Sequence, residues 1–158
     1  MRPAALALIA LGTWRASAQQ PTSKSDAQVA SARLRETVAR EDARQNAGFC
    51  LKDGSTAGLN GCFRAEMEKS KANYLEAVRS LGALLRASDD KANAGPPQRL
   101  PFDDAEETWT RYQKQTCDVV YKTWEGGTGG GPAYGACIVS TYGTHIHELG
   151  VVYAVALQ

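Results

Sequence analysis

The sequence predicts an all-α fold, a small bundle of about four helices joined by two disulfide bonds. Four segments of the chain repeat apolar residues at three- and four-residue steps, no strand pattern or internal repeat is evident, and the number of cysteines is even. A chain of 158 residues, 43% hydrophobic and 22% charged, fits one small domain and excludes most large catalytic folds.

The N-terminus is typical of a secretory signal peptide over residues 1–18. Met1-Arg2 precedes a short apolar run over residues 4–11, and residues 16–18 read Ala-Ser-Ala, the small residues of a cleavage site. The run is much shorter than the roughly 20 residues needed to cross a bilayer. We therefore predict cleavage after Ala18, a periplasmic or secreted product and no stable membrane anchor. The alternative is an amphipathic first helix.

The first half of the domain, which we expect over residues 26–158, contains two predicted helices. Polar residues 19–25 predict a disordered lead-in before it. The first helix is predicted from Asp26 to before Gly48, with a narrow apolar stripe. The glycines between Cys50 and Gly61 predict a loop. The second helix follows over some 25 residues, with the stripe Phe63, Met67, Ser70, Tyr74, Val78, Leu81 and Leu85.

The second half predicts two more helices after a proline-containing connector over residues 88–101. Asp103 and Glu106 are spaced as a capping box at the start of the third helix, whose aromatic residues are expected in the core. Residues 125–132, EGGTGGGP, predict a flexible surface loop. The fourth helix is predicted from Tyr134 to Leu149 with Gly150 as its stop, and the apolar tail after it should be buried as helix or extended chain. The stripe of the third helix is Trp109, Tyr112, Thr116, Val120 and Trp124.

The four cysteines, Cys50, Cys62, Cys117 and Cys137, are expected to form two disulfide bonds, because an exported chain folds in an oxidising compartment. Four cysteines allow three pairings, and the sequence does not fix one of them. We favour Cys50 with Cys62 and Cys117 with Cys137, since each pair would bridge two predicted elements. A zinc site is the alternative, but no C-x-x-C spacing is present. We predict no metal and no cofactor.

A series of features along residues 50–149 resembles one known family. Cys50 and Cys62 precede a charged amphipathic helix, and the motif W-x-x-Y-x-x-x-x-C runs from Trp109 to Cys117. Gly-Gly at 126–127 and a fourth cysteine follow it. This pattern resembles the LprI-like family of exported bacterial proteins, named for a lipoprotein described as a lysozyme inhibitor. The resemblance implies a helical, disulfide-bonded envelope domain and inhibition of lysozyme.

Two stretches depart from the usual pattern of this family. Residues 69–73 read KSKAN where the family often carries Asp with a following Leu-Asn. Residues 141–145 read TYGTH where the family usually has Thr followed by Glu-Arg.

Two regions are candidate partner-binding sites. The acidic residues Asp103, Asp104, Glu106 and Glu107 would attract a cationic protein such as lysozyme, although acids in a first turn are also favoured by the helix dipole. The loop with Gly126, Gly127 and Thr128 would insert into the cleft of a partner, or serve as a plain connector.

Other polar and aromatic residues favour ordinary structural roles. His145 and His147 are expected on the polar surface, because residues two apart on a helix point in different directions. Trp109, Tyr112 and Trp124 would stack on sugars or, as we favour, fill the core. We predict no catalytic residues, since no nucleophile lies in a recognisable motif.

The function predicted from the sequence is that of an exported binding module, with lysozyme inhibition as its named activity. The alternatives are a structural or stress-related envelope protein without an inhibitory target and, third, a hydrolase. Eighteen basic residues nearly balance 17 acidic ones, so nucleic acid is excluded as a partner. The expected partners are lysozyme or another envelope protein.

Overall fold

A computed structural model describes residues 24–90, 97 and 99–153 of the chain. The helices are α1 (Lys24–Ala47), α2 (Thr56–Asp89), α3 (Arg99–Lys122) and α4 (Gly130–Glu148), and a π-helical turn, Leu149–Tyr153, continues α4. The described residues contain no strand, which confirms the predicted all-α class. The predicted signal peptide, residues 19–23 of the lead-in and the tail beyond Tyr153 lie outside the described residues.

The helices pack around α2 and α4, which contact each other extensively. Helix α1 packs mainly on α2, and α3 packs mainly on α4. The hydrophobic core lies where the helices meet, and its completely buried members include Ala77, Leu81, Val139, Ile146 and Leu149. Half-buried residues such as Met67, Val78 and Trp109 pack around this core.

A buried carboxylate on α1 orients this helix against α2. Glu41 is completely buried and accepts hydrogen bonds from Ser70 Oγ at 2.8 Å and Asn73 Nδ2 at 2.6 Å. Arg44 forms an ion pair with it, and Gln45 Nε2 donates to it at 3.0 Å. The same amide nitrogen lies 3.0 Å from the carbonyl oxygen of Val139, which joins α1 to α4.

The two predicted disulfide bonds are present. Cys50 and Cys62 connect the segment after α1 to α2, and Cys117 and Cys137 connect α3 to α4. No free cysteine remains. The favoured pairing of the four cysteines is confirmed.

Two predicted boundaries in the first half of the chain are wrong. Residues 24 and 25, which we predicted in the lead-in, belong to α1. The predicted loop from Cys50 to Gly61 ends at Ser55, whose hydroxyl accepts a hydrogen bond from Gly58 N at 3.0 Å and caps α2. This cap and the packing of α2 override the low helix propensity of the glycines.

The boundaries in the second half also differ from prediction. Helix α3 begins at Arg99, four residues before the predicted Asp103. Helix α4 begins at Gly130, so the predicted loop of residues 125–132 is helical over its last three residues. Gly150 does not stop the helix, because it lies in the π-helical turn. It is needed for close packing, since a Cβ there would lie 2.4 Å from Val38 Cγ2.

The aromatic stripe predicted for the third helix is only partly in the core. Trp109 packs against the core, but Tyr112 is 60% exposed. Trp124 is 50% exposed and follows the end of α3. The face of α3 that packs on the bundle instead contains Phe102, Glu106, Gln113 and Cys117.

We expect Gly135→Ala to lower the free energy of unfolding by about 1–3 kcal/mol. The added Cβ would lie 2.6 Å from Phe63 Cβ, so α2 and α4 would have to separate. Urea denaturation of the oxidised chain, followed by circular dichroism, measures the effect. Gly61→Ala is the matched control, because no atom lies within 4 Å of that position and the helix should gain about 0.5–1 kcal/mol. Equal stability of Gly135→Ala and the wild type would contradict the close helix approach.

We expect Glu41→Ala to lower the free energy of unfolding by about 3–5 kcal/mol, because it leaves buried donors and a cation without their acceptor. Glu36→Ala on the same helix is the control and should change stability little, since the Glu36 side chain is 77% exposed. The same urea experiment compares the two variants. Similar losses of unfolding free energy in both variants would show that the contribution of Glu41 to stability does not depend on its burial.

Candidate functional site

The predicted acidic cluster is divided between the surface and the interior of the bundle. Asp104 and Glu107 are exposed on α3, where the described residues offer them no ion pair. Asp103 accepts from Arg99 Nη2 at 2.7 Å, and Glu106 is buried. Only Asp104 and Glu107 therefore present free charges to a partner.

Glu106 does not form the predicted capping box, because its side chain points into the bundle. The hydroxyl of Tyr74 donates to its carboxylate at 3.0 Å, and His145 Nε2 lies 3.0 Å from the same oxygen. His145 Nδ1 lies 3.2 Å from a carboxylate oxygen of Glu148. This buried cluster joins α2, α3 and α4.

The prediction that both histidines lie on the polar surface is wrong for His145, which is 9% exposed. Its ring stacks on Trp109, with centroids 4.0 Å apart and an interplanar angle of 9°. His147 is exposed, as predicted, and lies 3.3 Å from Asp42. Because His145 covers one face of Trp109, that face is closed to a sugar ring.

The surroundings of His145 favour its protonated form. Burial alone lowers the pKa of His145, but hydrogen bonds and charges from Glu106 and Glu148 act in the opposite direction, and the pKa is raised from its ordinary value of 6.5. Burial also raises the pKa of Tyr74, so its hydroxyl stays protonated and donates to Glu106. The imidazole of His145 thus lies between the carboxyl groups of Glu106 and Glu148 and against the ring of Trp109, an arrangement that favours its protonation.

A shallow groove lies along α3 next to this cluster, with a volume of about 730 Å³. Trp109 lines the groove, so its stacking on His145 connects the groove to the buried cluster. Tyr112 contributes a largely exposed ring to the same groove, about 12 Å from Asp104 along the helix axis. The complete lining is Pro101, Asp104, Ala105, Thr108, Trp109 and Tyr112. We call this groove, together with Glu107, the α3 surface.

The predicted glycine-rich loop lies at the other end of α3. It covers residues 123–129, where Gly126 has φ +85° and Gly127 N donates to Trp124 O at 2.8 Å. Thr128 is exposed, whereas a Cβ at Gly129 would lie 2.5 Å from the Trp124 ring. Asp104 and Lys122 are about 27 Å apart along the helix axis, so the α3 surface and the loop cannot form one small site.

Sequence reasoning missed the cluster of Tyr74, Glu106 and His145. Its members lie on three helices, and Glu106 and His145 are 39 residues apart. A signal was present, because Tyr74 lies in the predicted apolar stripe of the second helix, and Glu106 lies one turn before Trp109 in the third. A polar residue at such a position indicates a buried partner.

Within the described part of the chain, neither a usable metal centre nor a membrane-spanning helix is found. The grouping with metal-ligand spacing there is Cys50, Asp53 and Cys62, and its two sulfur atoms form a disulfide bond. None of the helices described combines the length and apolar character that a membrane crossing requires.

A protein-family model matches most of the described chain. The model described as "Lysozyme inhibitor LprI" matches residues 50–149, which confirms the resemblance inferred from the cysteine and aromatic motifs. No curated protein and no solved structure matches the chain. The matched region contains α2, α3, α4 and both disulfide bonds, whereas α1 precedes it.

We expect the stability of the protein to fall as pH rises through the raised pKa of His145. The folded chain binds this proton more tightly than the unfolded chain, so the stabilisation is fully present below about pH 6.5 and is lost above the folded pKa. Urea denaturation at a series of pH values measures this fall, and His145→Gln should remove most of it.

His147→Gln is the matched control for this experiment. His147 is exposed, and its substitution should leave the pH dependence close to that of the wild type. An unchanged pH slope in His145→Gln would contradict the role assigned to the histidinium.

Proposed function

Because the chain belongs to the LprI family, we propose that it is an exported binding protein that inhibits a lysozyme and performs no chemistry of its own. The observation that carries this proposal is the family match over residues 50–149. Both disulfide bonds lie within that region and support export to an oxidising compartment.

The α3 surface is the part of the molecule that we propose contacts the enzyme. Asp104 and Glu107 lie one helical turn apart and would attract a cationic protein. The ring of Tyr112, 60% exposed, offers apolar contact area in the same groove as Asp104. Tyrosine is common among the residues that dominate binding energy at protein interfaces.

Inhibition would result from steric blockage of the substrate cleft. The exposed ring of Tyr112 lies near the middle of α3, so an enzyme that docks on this surface with its cleft would lose space that a glycan strand needs. The loop with Gly126, Gly127 and Thr128 would add a contact only in a partner that also reaches the C-terminal end of α3, about 15 Å along the helix axis from Tyr112.

A structural envelope protein without an inhibitory target is the alternative, and the internal contacts of the two divergent stretches are compatible with both functions. In the two stretches that depart from the family pattern, Ser70 and Asn73 bind Glu41, and His145 lies against Glu106. These side chains serve packing and are not available to a partner. An envelope protein without an enzymatic target would retain the same buried contacts.

We expect the oxidised chain to inhibit lysozyme stoichiometrically in an assay on bacterial cell walls, and a reduced and alkylated sample to lose the effect. Asp104→Asn/Glu107→Gln should weaken inhibition by about fivefold, as expected for two exposed charges. Tyr112→Ala should weaken it by at least about fivefold. The matched control is Glu36→Gln/Glu68→Gln, which removes two exposed carboxylates from α1 and α2 and should leave inhibition unchanged.

Two results would argue against parts of this proposal. No inhibition at large molar excess of the folded, oxidised chain would overturn the inhibitor function and favour the structural alternative. Inhibition that is unchanged in the variants of Asp104, Glu107 and Tyr112 would retain the function but place the contact surface elsewhere.

A further inference from the structure

A second groove lies between α1 and α2, and the lysozyme proposal does not use it. Its volume is about 410 Å³, and three arginines, Arg33, Arg40 and Arg79, lie around it. We propose that this groove binds an oxyanion, that is, a phosphate or carboxylate group of an acidic ligand. This proposal concerns another part of the molecule and is independent of the α3 surface.

The orientation of Arg40 is fixed by the floor of the groove. Its Nε donates to Asn73 Oδ1 at 3.0 Å, and its Nη2 lies 3.4 Å from the hydroxyl of Thr37. Thr37 and Asn73 are 2% and 7% exposed. Asn73 is held in turn by Glu41. A guanidinium that is already oriented loses less conformational freedom when it binds an anion.

The other two arginines of the groove differ in how many of their donors are engaged. Arg33 is exposed and has no hydrogen bond or ion pair among the described residues. The Arg79 side chain is 74% exposed, but its Nη2 pairs with Glu76 at 3.1 Å and its Nε donates to the carbonyl oxygen of Leu75 at 3.3 Å. Guanidinium groups bind phosphate and carboxylate through paired N–H donors, which is the chemistry that favours an oxyanion here.

Two carboxylates of the groove, Glu36 and Glu76, repel an anion and lower its affinity, so removal of one of them should strengthen binding. Glu36 lies 3.9 Å from Arg40 Nη1, too far for a short hydrogen bond, and its side chain is 77% exposed. Together with Glu76 it leaves the groove, with its three arginines, a net charge of about +1. We therefore expect a dissociation constant on the order of millimolar, an affinity suited to repeated anionic groups on a polymer.

The groove lies only partly within the region that the family model matches, because Asn73, Glu76 and Arg79 belong to residues 50–149. Its α1 residues, Arg33, Thr37 and Arg40, precede the matched residues 50–149. The groove therefore forms only where α1 packs on α2.

Titration of the oxidised chain with pyrophosphate, and separately with citrate, tests the proposal by two-dimensional NMR. We expect saturable shifts of the Arg33, Arg40, Asn73 and Arg79 side-chain signals. A response to pyrophosphate alone supports a phosphate ligand, a response to citrate alone supports a carboxylate ligand, and a response to both supports a general oxyanion site.

Variants that remove one charge from the groove test whether its positive charge strengthens the binding of the anion. Arg33→Gln should weaken binding about threefold and Glu36→Gln should strengthen it about threefold, as expected for exposed charge pairs. Arg35→Gln is the matched control, because it removes the same charge from α1 outside the groove. No saturable shift with either anion, or equal weakening by Arg33→Gln and Arg35→Gln, would overturn the proposal.

Discussion

The position of α1 depends on a charge that is fully removed from water. Glu41 is 0% exposed, and desolvation of a carboxylate costs several kcal/mol unless donors replace the lost water. Those donors come from Arg44 and Gln45 on α1 and from Ser70 and Asn73 on α2. Helix α1 has only a narrow apolar stripe. The directional hydrogen bonds of Glu41 therefore determine, more than buried apolar area does, which face α1 presents to α2.

A second buried carboxylate, Glu106, orients α3 in the same way. Glu106 brings a carboxylate from α3 to Tyr74 on α2 and His145 on α4. Apolar packing has little directional preference, whereas a buried acceptor must face its donors. The rotation of α3 that satisfies Glu106 therefore leaves Tyr112 and Val119 facing solvent, at 60% and 62% exposure.

Local patterns explain what the sequence could predict. Helix α2 and the Cys117–Cys137 pair follow from helical periodicity and from the elements that flank the cysteines. The role of Glu106 could not be predicted in this way, because its spacing from Asp103 fits a capping box while its partners lie far away in the chain. Helical periodicity also does not show which of two neighbouring faces of a helix packs on the rest of the bundle. For this reason Tyr112 was predicted in the core.

The two buried centres also separate residues that the fold requires from residues that are free to bind. Ser70, Asn73 and His145 lie in the stretches that depart from the family pattern, and each contacts a buried carboxylate. Divergence there changes the internal packing, so it is not direct evidence that a binding surface has been lost. Asp104 and Glu107, by contrast, have no ion pair among the described residues. Since the fold gains little from their charges, substitutions at these two positions test the proposed α3 surface without disturbing either buried centre.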